Sequence, residues 1–191
     1  DDDLADIPSA GLKMAKPDGD HAAVVGGDEW KKAVQAYLAT IAFVDHEVGR
    51  LVKGLDESPI AKNTIVVFWG DHGWHLGEKQ HWRKFALWND ATRVPFFMVA
   101  PGVTRAGGVC ESPVDLLGIY PTLCDLAGVP APEHLDGANL RPLLEDPAAT
   151  WELPAISTHG SGNHMIQTRY ERLIRYANGD EEFYDHRTDP N

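Results

Sequence analysis

The amino-acid sequence predicts an α/β protein closed by a small antiparallel sheet. Three observations predict it: a long amphipathic stretch beginning at Glu29, two short uninterrupted apolar runs at 64–69 and 95–100 separated by a long loop, and a series of brief strand-like segments after Pro154. Helix, strand, loop, strand, helix in that order is the α/β signature.

The first 27 residues are rich in Asp, Gly, Pro and Ala without periodicity, which predicts an irregular lead-in. From Glu29 the pattern changes. Val34, Tyr37, Leu38, Ile41, Val44, Val48, Leu51, Val52 and Leu55 recur at three- and four-residue steps, the period of a helix with one apolar face. Asp28 is placed to cap that helix, and Pro59 marks its outer limit. The runs at 64–69 and 95–100 are β-branched and aromatic with no polar alternation, as expected of strands buried on both faces in a parallel sheet. A helix over 116–126 ends at Gly128 with Pro130 beyond it. Residues 28–150 therefore form the main α/β portion. In 151–191, short strands at 155–158, 165–168, 172–176 and 182–184 are divided by Gly160-Ser-Gly162 and Asn178-Gly179-Asp180, turn chemistry suited to hairpins.

A chain of 191 residues, 43% apolar, fits one domain with a sizeable core. Its formal net charge of -12 argues against binding to nucleic acid or an anionic membrane surface, though a local basic pocket can still hold an anion. No apolar run approaches the roughly 20 residues that span a bilayer, so membrane insertion is not expected. Two cysteines, Cys110 and Cys124, make no disulfide framework, and Cys124 sits in an apolar run as a core residue.

The chemistry concentrates between the two apolar runs. A loop of some two dozen residues inside a compact α/β domain is usually functional, and this one leaves the carboxyl end of a strand, where ligands bind in open α/β sheets. Gly70-Asp71-His72-Gly73 opens it: a carboxylate and an imidazole, released by flanking glycines, can turn on one cation. Carboxylate suits Ca²⁺ or Mg²⁺, whereas imidazole moves the preference toward zinc. The plain alternative is an Asp-Gly turn with an incidental histidine. Lys84, within His81-Trp-Arg-Lys-Phe85, can neutralise an oxyanion and steady charge on a leaving group; the alternative is a solvated Arg-Lys pair. Trp74, Trp82 and Trp88 lie in the same loop, as sugar platforms or as its own small core. His75 and His81 are candidates for proton transfer or support, and His159 and His164 flank a glycine turn at the rim.

The stretch Asn63-Thr-Ile-Val-Val-Phe-Trp-Gly-Asp-His-Gly-Trp-His-Leu-Gly-Glu78, with Trp82-Arg-Lys-Phe85 and Ala91-Thr-Arg-Val-Pro95, resembles the second signature region of the sulfatases. Histidine after the aspartate resembles the iduronate-2-sulfatase-like branch. The likeness continues through Val114-Asp-Leu-Leu-Gly-Ile-Tyr-Pro-Thr-Leu-Cys-Asp-Leu-Ala-Gly128, Leu135-Asp-Gly-Ala-Asn-Leu-Arg-Pro-Leu-Leu144 and Phe183-Tyr-Asp-His-Arg-Thr-Asp-Pro190. The resemblance implies an alkaline-phosphatase-like sandwich: a mostly parallel sheet with helices on both faces, plus a carboxy-terminal antiparallel sheet. It implies Asp71 and His72 as ligands of Ca²⁺, with Mg²⁺ as the alternative, and Lys84 as a contact to sulfate. Together with the loop reading, it makes His81 a catalytic candidate beside Lys84, and Trp74 and His164 substrate contacts. The substrate class it implies is a sulfated glycan or small sulfate ester, in a periplasmic, secreted or lysosomal setting.

Sulfatases make a formylglycine nucleophile from a Cys/Ser-x-Pro-x-Arg motif. Cys110 is followed by Glu-Ser and Cys124 by Asp-Leu, and no serine fits. The family's paired metal aspartates close its first buried strand; Asp1-Asp2-Asp3 follows no strand and is not assigned that role. The expectation is a carboxy-terminal portion, inactive alone, whose partner is the amino-terminal half of the same protein. A zinc-dependent phosphatase or phosphodiesterase of the same superfamily, with His134 or His159 as a further ligand, and a non-catalytic module are the rival readings.

Overall fold

Ile7, Ala15, Ala86, Leu87, Trp88, Ala91, Met165, Ile174, Tyr176 and Tyr184 close on one another in a computed structural model that describes residues 3–189. They come from three distant stretches of chain: the amino-terminal segment, the long loop and the carboxy-terminal sheet. Asp1, Asp2 and Pro190 lie outside the described residues.

The amino-terminal segment is not the irregular lead-in its composition suggests. It holds α1 (Ser9–Ala15), a wide turn over Pro17–His21 and α2 (Ala22–Gly26). Seven- and five-residue helices carry no readable period, and what stabilises α1 is tertiary: Ala15 is fully buried, and Ser9 Oγ and the Ala10 N–H both donate to Asp180.

The amphipathic stretch forms α3 (Trp30–Asp56). Asp28 does not cap it. Glu29 precedes the first turn without a side-chain hydrogen bond, and Asp28 itself sits at φ 54°, outside the geometry of a capping residue. The apolar stripe of α3 faces outward, with Leu38, Ile41, Val44 and Val52 exposed and Leu51 at 74%.

The two apolar runs form β1 (Val66–Trp69) and, after the loop, β4 (Phe96–Val99). They pair with each other antiparallel, Trp69 opposite Phe96 and Val66 opposite Val99. The prediction of strands buried in parallel register is corrected here: every strand pair among the described residues is antiparallel, and Trp69, Phe97 and Val99 are exposed. The Gly70 N–H bonds the Pro95 carbonyl at 3.0 Å, so the loop leaves and rejoins the pair at one point. Within it lie the two-residue strands β2 (His75–Leu76) and β3 (Trp82–Arg83), paired antiparallel, and α4 (Asn89–Thr92).

The helix expected at 116–126 is a tight turn over Leu116–Gly118, capped by Asp115, running into α5 (Ile119–Leu126). It ends as anticipated: Gly128 takes φ 68°, and the Val129 N–H returns to the Cys124 carbonyl at 2.8 Å. Cys124 is buried and Cys110 exposed, both as free thiols. After α6 (Arg141–Glu145) come β5 (Ala155–Thr158), β6 (His164–Gln167), β7 (Glu171–Arg175) and β8 (Glu181–Asp185). They form a four-stranded antiparallel meander in chain order. Met165, Ile174, Tyr176 and Tyr184 face the loop, so this sheet and the loop share one core. No helix among the described residues is long and apolar enough to cross a membrane.

Candidate active site

The turn after β1 owes its shape to Gly73. Its N–H donates to the Ala91 carbonyl at 2.8 Å, and a Cβ there would stand 1.9 Å from the Asp90 carbonyl oxygen, so only glycine lets the turn lie this close to α4. The turn presents an exposed Asp71 and a half-buried His72 side by side. Asp71 Oδ1 accepts the His72 N–H at 3.1 Å, and Asp71 Oδ2 lies 3.6 Å from His72 Nε2. His72 Nδ1 bonds the Gly73 carbonyl at 2.9 Å, which places its proton on Nδ1 and leaves the Nε2 lone pair available.

Lys84 reaches the same point from the other limb of the loop, its Nζ 2.8 Å from His72 Nε2. An ammonium has only donors, so it can bond only the unprotonated Nε2, in agreement with the tautomer set by Gly73. The structure thus brings together Asp71, His72 and Lys84.

The donor set fits a divalent cation. Two ligands each about 2.4 Å from one ion and a right angle apart lie about 3.4 Å from each other, close to the 3.6 Å between Asp71 Oδ2 and His72 Nε2. A hard carboxylate oxygen and one imidazole could supply two of the six or more ligands that Ca²⁺ takes. Among the described residues no third His, Cys, Asp or Glu joins them. Asp3 is engaged elsewhere, its carboxylate accepting the Lys79 N–H at 2.5 Å and pairing with Lys79 Nζ at 3.3 Å.

The other sequence-predicted residues distribute around this centre. Trp74 stacks on Tyr37 of α3, ring centres 6.1 Å apart, and stands 6.3 Å from the His72 ring. His81 is only 6% exposed; its Nδ1 bonds the Ala15 carbonyl at 2.9 Å, and its ring meets His75 edge-on at 5.0 Å. His75, fully buried at 0%, bonds the Glu78 carbonyl through Nδ1. Burial above all else lowers the pKa of both histidines. Trp88 packs edge-on against both rings, and Trp82 and Trp88 are buried, which makes them the loop's own core. His164 is exposed and bonds Thr158 across its hairpin at 2.9 Å. His159 is the rim histidine turned inward, its ring 5.8 Å from that of Phe85. Phe85, His159, His81, Lys13, Lys16 and Arg83 are among the walls of an open cleft of about 940 Å³ beside the Lys84 loop.

Two residues that sequence reasoning missed hold this loop from below: Arg172 on β7 and Glu182 on β8, both buried. A signal existed. Arg172 and Ile174 on β7, with Tyr176 just past its end, and likewise Glu182 and Tyr184 on β8, occupy alternate positions, so the charged residues share the inward register of the apolar ones.

Fold comparison gives the chain an alkaline-phosphatase-like α/β fold. It superposes on a phosphonate monoester hydrolase from Silicibacter pomeroyi with a TM-score of 0.82 at 24% identity, covering 97% of this chain and 42% of that one. A solved complex of a protein with its substrate D-glucosamine-2-N,6-O-disulfate matches with a TM-score of 0.71 at 30% identity, over 85% of this chain and 35% of that one. Residues 10–129 match the sulfatase family, and residues 77–191 match the carboxy-terminal family of N-sulphoglucosamine sulphohydrolase. The chain belongs to the sulfatase family. A sulfatase of Formosa agariphila is 43% identical over 194 residues, covering all of this chain and 38% of its own length. Mouse iduronate 2-sulfatase is 35% identical over 129 residues, covering 55% of this chain and 23% of its own length. The chain therefore spans well under half the length of the relatives it matches.

Proposed function

We propose that this chain is the carboxy-terminal part of a sulfatase that hydrolyses a sulfate ester of a sulfated glycan. In this reading Asp71 and His72 supply two ligands to a divalent cation, Ca²⁺ or else Mg²⁺, and Lys84 binds the sulfate. The observation that carries it is the convergence of Asp71 Oδ2 and Lys84 Nζ on His72 Nε2, at 3.6 Å and 2.8 Å.

A bound cation would polarise the sulfate oxygens as a Lewis acid, and the nucleophile, a formylglycine in this family, would come from outside this chain. Asp71 and His72 would hold that ion, His72 being kept in the ligand tautomer by its Nδ1–H bond to the Gly73 carbonyl. Lys84 donates to the sulfate and to the bridging oxygen, stabilising charge as the S–O bond breaks. Half-buried Trp74 beside His72 offers an apolar wall to a sugar ring. His81, walled in by Ala15, His75 and Trp88, serves the site by packing. The outward apolar stripe of α3 and the exposed residues of β1 and β4 are surfaces for the preceding half to cover, since contiguous apolar surface of this kind marks an interface.

The test is turnover of an aryl sulfate and a sulfated disaccharide by the 191-residue chain and by the same chain joined to the preceding half. The chain alone is expected to be inactive and the joined protein active, with Lys84→Met lowering kcat by about 100-fold or more. Preference for a phosphate or phosphonate ester over the sulfate ester, or undiminished turnover in Lys84→Met, would contradict the reading.

A further inference from the structure

The segment that carries Lys84 has little regular structure of its own. Between β3 and α4 its one internal backbone bond runs from the Ala86 N–H to the Lys84 carbonyl, at 2.8 Å, so its course is set from outside. Two side chains of the carboxy-terminal sheet reach it. Arg172, 4% exposed, donates Nη1 to the Leu87 carbonyl at 3.1 Å and Nη2 to Asn89 Oδ1 at 3.0 Å, while its Nε bonds Gln167 Oε1 at 2.8 Å. Glu182, 7% exposed, accepts the Trp88 Nε1–H at 2.8 Å and the Tyr184 and Tyr176 hydroxyls, each at 2.5 Å. Leu87, Trp88 and Asn89, consecutive in sequence, are thus each bonded to one of two adjacent strands. The Trp88 ring carries that constraint on to His75 and His81. The arrangement is closed on its third side by α1, where a Cβ on Gly11 would fall 2.5 Å from Glu182 Oε1.

Neither buried charge has an opposite charge as its hydrogen-bond partner. The guanidinium rests on amide and carbonyl oxygens, and the carboxylate on an indole N–H and two hydroxyls. Burying a charge on neutral partners costs free energy, and burial brings Arg172 down to about 10. Apolar side chains of similar volume would cover the same sheet at lower cost. What the charges add is direction: a planar fork fixes a backbone carbonyl and a side-chain amide at once, and a carboxylate fixes the plane of an indole.

We infer that Arg172 and Glu182 are positioning residues for Lys84, holding Leu87, Trp88 and Asn89 so that the ammonium stands opposite His72. The inference rests on the role given to Lys84 above. It goes beyond that role in assigning the carboxy-terminal sheet a share in building the site.

The test compares Arg172→Met and Glu182→Gln with Ile174→Val, which removes one methyl from the core shared by sheet and loop and breaks no hydrogen bond to the loop. In the 191-residue chain, hydrogen exchange is expected to quicken at least tenfold at amides 84–89 in the two loop-contact variants. Met165 and Ile174 should stay protected, and the His72 Nε2 nitrogen resonance should move as the Lys84 contact loosens. In the joined protein, kcat should fall at least tenfold with KM within twofold, whereas Ile174→Val lowers Tm and leaves kcat and the His72 resonance in place. Trp88→Phe removes the same bond from the other side and gives the same pattern, which covers the case of a Glu182 variant that does not fold. Unchanged loop exchange in Arg172→Met and Trp88→Phe overturns the inference, as does exchange that quickens uniformly across sheet and loop. A kcat lost in Lys84→Met but intact in these variants sinks this inference alone; a kcat intact in Lys84→Met sinks the reading beneath it.

Discussion

Lys84 Nζ and His72 Nε2 stand 2.8 Å apart, and the other nitrogen of that imidazole is committed to the Gly73 carbonyl. One lone pair therefore faces two claimants: the ammonium that holds it here and, in the proposed function, a cation held by Asp71 and His72. Removing the ammonium frees the lone pair and takes away a like charge. Lys84→Met is expected to tighten Ca²⁺ binding by the 191-residue chain about three- to tenfold, the scale of one partly exposed charge contact. Calorimetric titration at low salt checks this; weaker binding in Lys84→Met would mean that the lysine and the ion do not share His72.

Gly73 makes a steeper prediction. With a Cβ only 1.9 Å from the Asp90 carbonyl, Gly73→Ala must push the turn away from α4. The expected cost is about 2–4 kcal/mol of stability by urea unfolding, with loss of the Asp71–His72 cation affinity. Gly70→Ala, whose nearest contact is the Val94 Cβ at 3.3 Å, should cost clearly less. Equal effects would show that the close approach does not shape the site.

The buried histidines set the pH dependence. Burial lowers His75 and His81 below the ordinary histidine value of 6.5, and His186 moves the same way. The folded state then holds them neutral where the unfolded chain takes up protons. Stability is full above pH about 6.5 and is lost as pH falls toward the lowered values, by up to about 1.4 kcal/mol per pH unit for each of the buried His75 and His81 and by less for the more exposed His186. Urea midpoints taken from neutral pH into the acid range check the slope. His75→Asn with His81→Asn keeps a donor near each Nδ1 position and should flatten it; an unaltered slope would place the acid sensitivity elsewhere.

The elements that declared themselves in the sequence are those with a period or a punctuation. The helical stripe from Val34 to Leu55 is α3, Gly128 ends α5, and the turn residues around Gly160 and Gly179 separate strands lying within a residue of their expected places. Asp71, His72 and Lys84 were legible as a group because glycines flank the pair and the family motif surrounds all three. What was hidden depends on distant partners. Continuous apolar runs carry no direction, so 64–69 and 95–100 gave no sign that they pair antiparallel. Helix α1 is too short for a pattern and exists by packing under the sheet. Arg172 and Glu182 share the register of Ile174 and Tyr184, but Leu173 and Phe183 make the opposite register apolar too, so alternation does not say which face is buried.

The central claim, that Asp71 and His72 belong to the divalent-cation site of a sulfatase, is tested most directly by elemental analysis of the chain joined to the preceding half. The account predicts one Ca²⁺ or Mg²⁺ per polypeptide, lost in Asp71→Asn together with sulfate-ester turnover. Two zinc ions per polypeptide, or a full complement of metal in Asp71→Asn, would contradict it.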